Sequence, residues 1–124
     1  METKFDPEKT ALLVIDMQND LTKVGPDFFA PLYEMVKSNR VIENFTKMVK
    51  GARDRRLPIV HIRTVHRQDN ADVVPTVTDF MLQGMAPSQM PPILVEGTPG
   101  ADFIDELQPA ADDYAVAKRR SGAF

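Results

Sequence analysis

The chain has 124 residues, 43% of them apolar and 27% charged, with a formal net charge of −3 at neutral pH. That balance suffices for one buried core and argues against disorder, and its slight acidity gives no electrostatic reason to seek a nucleic acid or a membrane surface. No cysteine is present, so neither a disulfide nor a thiolate can come from these residues. The opening stretch METKFDPEKT is charged and lacks the apolar core of a signal peptide. No window approaches the roughly 18 apolar residues of a membrane helix, so the expectation is a cytoplasmic protein.

The first element is an unbroken apolar run, Ala11 to Ile15, stopped by Asp16. It is too short for a helix and rich in branched residues, which predicts a strand buried on both faces. The following LTKVGPDFFAPLYEMVK is interrupted by Gly25, Pro26 and Pro31 and reads as a loop containing Phe28 and Phe29. From about Asn39 to Arg55, Val41, Ile42, Phe45, Met48, Val49 and Ala52 recur at helical spacing, with Arg40, Glu43, Lys47 and Lys50 opposite. Ser38 or Asn39 is placed to cap that helix, and the RRLP segment to end it.

PIVHIRTVH then reads as a second strand, and strand–helix–strand predicts parallel pairing. Residues 67 to 97 are irregular, with methionines among prolines and one segment, PTVTDFMLQG, compatible with a short helix. TPGADFIDELQP carries a helix signature, with Thr98 as cap, Pro99 in the first turn, and Phe103, Ile104 and Leu107 as the apolar stripe. DDYAVAK is a third strand ending at Lys118. The fold class is α/β.

Asp16 and Lys118 each end an apolar strand, and in open α/β sheets the crevice beyond the strands' carboxyl ends is where ligands bind. A carboxylate facing an ammonium there would hold both charged and could position a proton or stabilise an anion. The same residues also suit a turn cap and a solvated lysine, and KRRS at 118 to 121 suits either an anion site or a solvated basic run. His61, inside the second strand, is expected to be a packed histidine with its ring nitrogens satisfied. His66 with Asp69 and Asp72 has metal-ligand residue types but not metal-ligand spacing.

ALLVIDMQND, PIVHIRTVH, GTPGADFIDEL and DYAVAKRRSGAF, in this order, resemble the isochorismatase-like cysteine hydrolases, which include nicotinamidases, N-carbamoylsarcosine and ureidoacrylate amidohydrolases, and isochorismatases proper. The resemblance implies a three-layer fold around a mainly parallel, six-stranded sheet and an Asp-Lys-Cys triad. Asp16 matches the aspartate that takes the thiol proton, and Lys118 the lysine that keeps the thiolate ionised and supports the oxyanion. The cysteine would attack an amide carbonyl and water would release the acyl group. In the same fold Gln18, Phe28, Phe29 and His66 would lie near the Asp16 crevice as substrate contacts.

Two departures stand out. The family cysteine lies beyond the lysine, after a further strand, whereas this chain closes soon after Lys118; residues 1–124 therefore resemble the N-terminal portion of one domain, ending after the third strand. Nicotinamidases carry an Asp-x-His metal site near the end of the second strand, but here Thr64 stands in the aspartate's place. No metal and no cofactor are expected, and RTVHRQDNAD and GTPGADF look closer to the carbamoyl and ureido amidohydrolases. The reading is an amidohydrolase acting on a small molecule. Its alternatives are a cysteine-free vinyl-ether hydrolase with Asp16 as general acid, or a non-catalytic binding or oligomerisation module. Three strands alone would leave an open apolar edge, so a homo-oligomer or a second polypeptide completing the fold is expected.

Overall fold

A computed structural model describes residues 5–23, 25–72, 91–120 and 122–123. Three strands, β1 (Leu12–Ile15), β2 (Ile59–Thr64) and β3 (Tyr114–Lys118), form one parallel sheet in the order β1-β2-β3. The register sets Leu13 beside Val60 and Val60 beside Tyr114, then Ile15 beside Ile62 and Ile62 beside Val116, and finally Thr64 beside Lys118. Partners in register point to the same face, so these three rows share one side of the sheet.

The other side carries the core. Val14 and Ile59 pack with Met17, with Val49 and Ala52 of α3 (Val41–Asp54), and with Ile104 and Leu107. Val41, Ile42 and Phe45 close over this cluster from the same helix. Each aliphatic side chain fully buried there contributes about 1.5–3 kcal/mol. The outer face of α3 carries Lys47–Glu43 and Lys50–Asp54 pairs at 2.7 Å, one helical turn apart and solvent-exposed. Such pairs add only a few tenths of a kcal/mol, so packing holds this helix.

Several expectations change. The stretch read as a loop contains α1 (Asn19–Thr22), a 3-10 turn at Asp27–Phe29 and α2 (Ala30–Ser38). Pro31 sits in the first turn of α2, where its missing N–H has no partner to lose, so it opens a helix instead of breaking one. Ser38 and Asn39 therefore close α2, and α3 starts at Val41 after Arg40, which has φ 51° and provides no side-chain cap. Met48, placed on the buried stripe by its spacing, is exposed.

The expected helix at 98 to 109 is instead two 3-10 turns, Pro99–Ala101 and Asp105–Leu107, split by extended residues. Phe103 in the gap forms an antiparallel bridge with Gln18, and Ile104 N donates to Met17 O at 3.1 Å, so the chain's hydrogen bonds go sideways to another segment. Thr98 donates its hydroxyl back to Val95 O and caps nothing. The segment PTVTDFMLQG and the methionines at 81, 85 and 90 lie outside the described residues.

β1 is not buried on both faces. Leu13 and Ile15 are 38% and 36% exposed, and β3 is exposed from Tyr114 to Ala117. Of the three layers expected, the described residues build the sheet and one covering layer. On the second face Leu13, Ile15, Tyr114 and Val116 are exposed, while Ile62 and Thr64 in its middle are buried.

Candidate active site

All three strand ends converge on one point. Asp16 follows β1 directly with φ 58°, a left-handed conformation that aspartate tolerates better than most residues and that turns the chain sharply off the sheet. Its N–H still donates to Ile62 O at 2.8 Å, which anchors the turn to β2. The Asp16 carboxylate then takes two partners from the neighbouring strands. Thr64 donates its hydroxyl to Oδ1 at 2.9 Å, and Lys118 donates from Nζ to Oδ2 at 3.2 Å. Lys118 Nζ also donates to Arg120 O at 3.1 Å.

The pair is asymmetric in exposure. The Lys118 side chain is 8% exposed and that of Asp16 is 32% exposed. A largely buried ammonium with a carboxylate and a carbonyl around it is held in place, while the carboxylate keeps one side toward solvent. A reacting group arriving from solvent would therefore meet the aspartate first, with the lysine behind it.

Gln18 was expected to touch substrate, and the structure places it otherwise. It is fully buried. Its Nε2 donates to Thr64 O and Ala101 O, both at 2.7 Å, and its Oε1 accepts from Thr64 N at 2.8 Å. Both amide hydrogens are spent on backbone, so Gln18 braces the end of β2 from behind. Phe29 is likewise buried, packing edge-on to Tyr33 and against Ile93 and Leu94 in a small second core. Phe28 belongs to the 3-10 turn at Asp27–Phe29, and its side chain lies outside the described residues. His66 is buried just past β2, where its N–H donates to Leu94 O at 2.8 Å and its carbonyl accepts from Glu96 N at 2.8 Å. Its Nδ1 is 3.9 Å from Asp72 Oδ2.

Sequence reasoning overlooked how Gln18, Asn19 and Asp20 work together. Asn19 donates from Nδ2 to Pro99 O at 2.8 Å, and Asp20 accepts from Leu94 N at 2.7 Å. With Gln18 on Ala101, three consecutive side chains hold the 94–101 segment beside the site. Gly100 suits this arrangement, because a Cβ there would collide with the Asp20 carboxylate. The signal in the sequence was a run of three amide and acid side chains shortly after a strand, a composition that bonds to backbone readily.

Thr64 was noted only as a replacement, yet it is the link between Asp16 and Gln18. The basic run is mostly committed as well. Arg119 pairs with Glu96 at 2.7 Å and approaches Asp72 at 3.5 Å, while Arg120 donates to Asp72 O at 2.6 Å. These contacts tie the loops after β2 and β3 together. Among the described residues no three His, Cys, Asp or Glu side chains group as metal ligands.

His61 is packed, as expected, but with one nitrogen satisfied. It is fully buried against Phe103, with Nε2 3.1 Å from Asp113 Oδ2, and Nδ1 has no hydrogen-bond partner among the described residues. Burial pushes the Asp113 carboxyl up, but the Ala110 N–H, Arg53 and His61 together outweigh it and hold the group below its ordinary value. This cluster lies toward the start of β3, at the opposite end of the sheet from Asp16. A cavity of about 460 Å³ lined by Arg53, Asp112 and Asp113 opens there.

The family model described as Isochorismatase domain matches residues 10–124. The chain belongs to the isochorismatase family. Among relatives, the ureidoacrylate amidohydrolase RutB of Acinetobacter baylyi is 26% identical, over 95% of this chain and 51% of its own length. An Arabidopsis thaliana protein named "probable inactive nicotinamidase" is 30% identical, over 93% of this chain and 54% of its own length. A solved cysteine hydrolase from Pseudomonas syringae superposes with a TM-score of 0.68 at 25% identity, over 95% of this isochorismatase-family chain and 50% of that one. The chain thus spans about half the length of the curated relatives it matches. No helix among the described residues is long and apolar enough to cross a membrane.

Proposed function

We propose that this isochorismatase-family chain contributes the aspartate and lysine of a site that hydrolyses a C–N bond in a small amide of carbamoyl or ureido type. The observation that carries the reading is the Asp16–Lys118 contact at the carboxyl end of the parallel sheet. Similarity to ureidoacrylate amidohydrolases supports the substrate class.

The third member is a cysteine thiol, which these 124 residues do not contain, and which belongs to the half of the domain that the relatives have beyond the matched stretch. Asp16, the more exposed partner, takes the thiol proton. The thiolate attacks the amide carbonyl while Lys118 offsets its negative charge. The C–N bond breaks as Asp16 returns the proton to the leaving nitrogen, and water, deprotonated by Asp16, then cleaves the thioester to release the acid and the thiol. Thr64 holds Asp16 in position throughout by its bond to Oδ1.

The test is ammonia release from ureidoacrylate and from N-carbamoyl amino acids. It is measured for the chain alone and for the chain joined to the second half of the A. baylyi relative. The expected result is activity only in the joined form, abolished by Asp16→Asn. Consumption of a chorismate-type vinyl ether without ammonia release would favour the cysteine-free reading instead. Silence of the joined form, where the intact relative is active, would reject both.

A further inference from the structure

Lys118 is anchored to the sheet by its backbone, since Val65, just past β2, donates its N–H to the Lys118 carbonyl at 3.0 Å. The lysine stem is flexible, so that anchor alone does not fix where the ammonium stands. Two acceptors contribute. One is Asp16 Oδ2 at 3.2 Å, and the other is the carbonyl of Arg120, two residues along the same chain, at 3.1 Å. The lysine side chain therefore reaches across a bend in its own backbone, and the shape of that bend helps to set the position of Nζ.

The Arg120 side chain ties the bend. Its Nη1 donates to Arg119 O at 2.8 Å, within the bend, and to Asp72 O at 2.6 Å, 48 residues away. Both hydrogens of that nitrogen are spent on backbone carbonyls. Asp72 is a firm point to hold. Its side chain is only 12% exposed, its Oδ1 accepts from Arg67 N at 3.0 Å, and Arg119 approaches its carboxylate at 3.5 Å. The Arg119 side chain itself runs to Glu96 at 2.7 Å.

We propose that Arg120 is a positioning residue for Lys118: seated on Asp72, it fixes the bend whose carbonyl holds the ammonium against Asp16. The basic run at 118 to 120 is then a lysine with its support, and not an anion site. The effect on catalysis rests on the reaction proposed above, whereas the positioning itself does not.

The first test uses the chain as it stands. Its lysines are acetylated briefly with acetic anhydride and each site is read by peptide mass spectrometry. Largely buried Lys118 is expected to react more slowly than exposed Lys47 and Lys50. Arg120→Met is expected to raise labelling of Lys118 severalfold and to leave Lys47 and Lys50 unchanged. Arg119→Met removes the same charge beside Lys118 without removing the tie to Asp72 O, and is expected to raise it less. Labelling of Lys118 that Arg120→Met leaves unchanged, or that both variants raise equally, overturns the proposal.

The second test uses the form joined to the second half of the A. baylyi relative. Arg120→Met is expected to lower kcat on the order of 10–100-fold with KM little changed. The loss should be the same for a neutral ureido amide and for an N-carbamoyl amino acid. A rise in KM confined to the anionic substrate would show that Arg120 binds substrate, and overturns the positioning role. A joined form that is silent with Arg120 in place rejects the proposed reaction, and the labelling contrast then decides the role of Arg120.

Discussion

Lys118 Nζ lies 3.2 Å from Asp16 Oδ2 although 102 residues separate them in sequence. The contact exists because β1 and β3 both run parallel to β2, so their carboxyl ends finish side by side with Thr64 between them. In the form joined to the second half of the A. baylyi relative, Asp16→Asn and Lys118→Met are each expected to lower kcat about 10²–10⁴-fold, and the double variant little further, since the two act as a unit. The pair also separates in stability. Asp16→Asn leaves a largely buried ammonium without its counterion and costs on the order of 1–3 kcal/mol, whereas Lys118→Met removes that charge and costs less. Urea denaturation checks the order.

Gln18 behaves as a brace. Gln18→Leu removes three hydrogen bonds and leaves Thr64 N, Thr64 O and Ala101 O without their partner. Buried polar groups left unpaired cost about 1–3 kcal/mol each, partly recovered by water, so a net loss of about 2–4 kcal/mol is expected. A variant that unfolds at the wild-type urea midpoint would show that Gln18 carries no such load.

Gly100→Ala should destabilise although it adds only one methyl group. The new Cβ would meet the Asp20 carboxylate that holds Leu94 N. Overpacking of this kind costs about 1–3 kcal/mol. Thermal melting of Gly100→Ala against Gly51→Ala gives the comparison, since a Cβ at Gly51 meets only the end of Arg55 at 3.6 Å.

Asp113 sets an acid limb on stability. Its folded-state pKa lies below the ordinary value of 3.8 through the Ala110 N–H, Arg53 and His61. A depressed carboxyl pKa means the proton binds the unfolded chain more tightly, so the contribution is complete above about pH 3.8 and is lost as pH falls through the folded value. Asp113→Asn should therefore melt lower than wild type at neutral pH, with the gap closing on acidification below that value. A gap that stays constant to pH 2 would show that Asp113 is not the titrating group.

How much of this was legible follows the range of the forces involved. β1, α3, β2 and β3 were readable because period and punctuation are local, and their ends came within a residue or two. α2 was missed because Pro31 was read as a breaker when it sits in a first turn. The 98–109 segment was misread because its helix signature is local, while the bonds that won, from Phe103 and Ile104 to Gln18 and Met17, are not. The roles of Gln18, Asn19 and Asp20 were invisible for the same reason, with partners 83, 80 and 74 residues away.

By itself the sequence determined which residue types end the first and third strands, a carboxylate at Asp16 and an ammonium at Lys118, but not that Thr64 closes the second. These follow from apolar runs that stop abruptly, and no other part of the chain is needed to see them. Only the tertiary structure decided that the three meet. Meeting depends on strand order and register, and one residue of slip would send Lys118 to the opposite face. The same register set exposed Leu13, Ile15, Tyr114 and Val116 on the face beside them, and their exposure was not legible because burial belongs to the layers that pack on a strand and not to the strand's own composition.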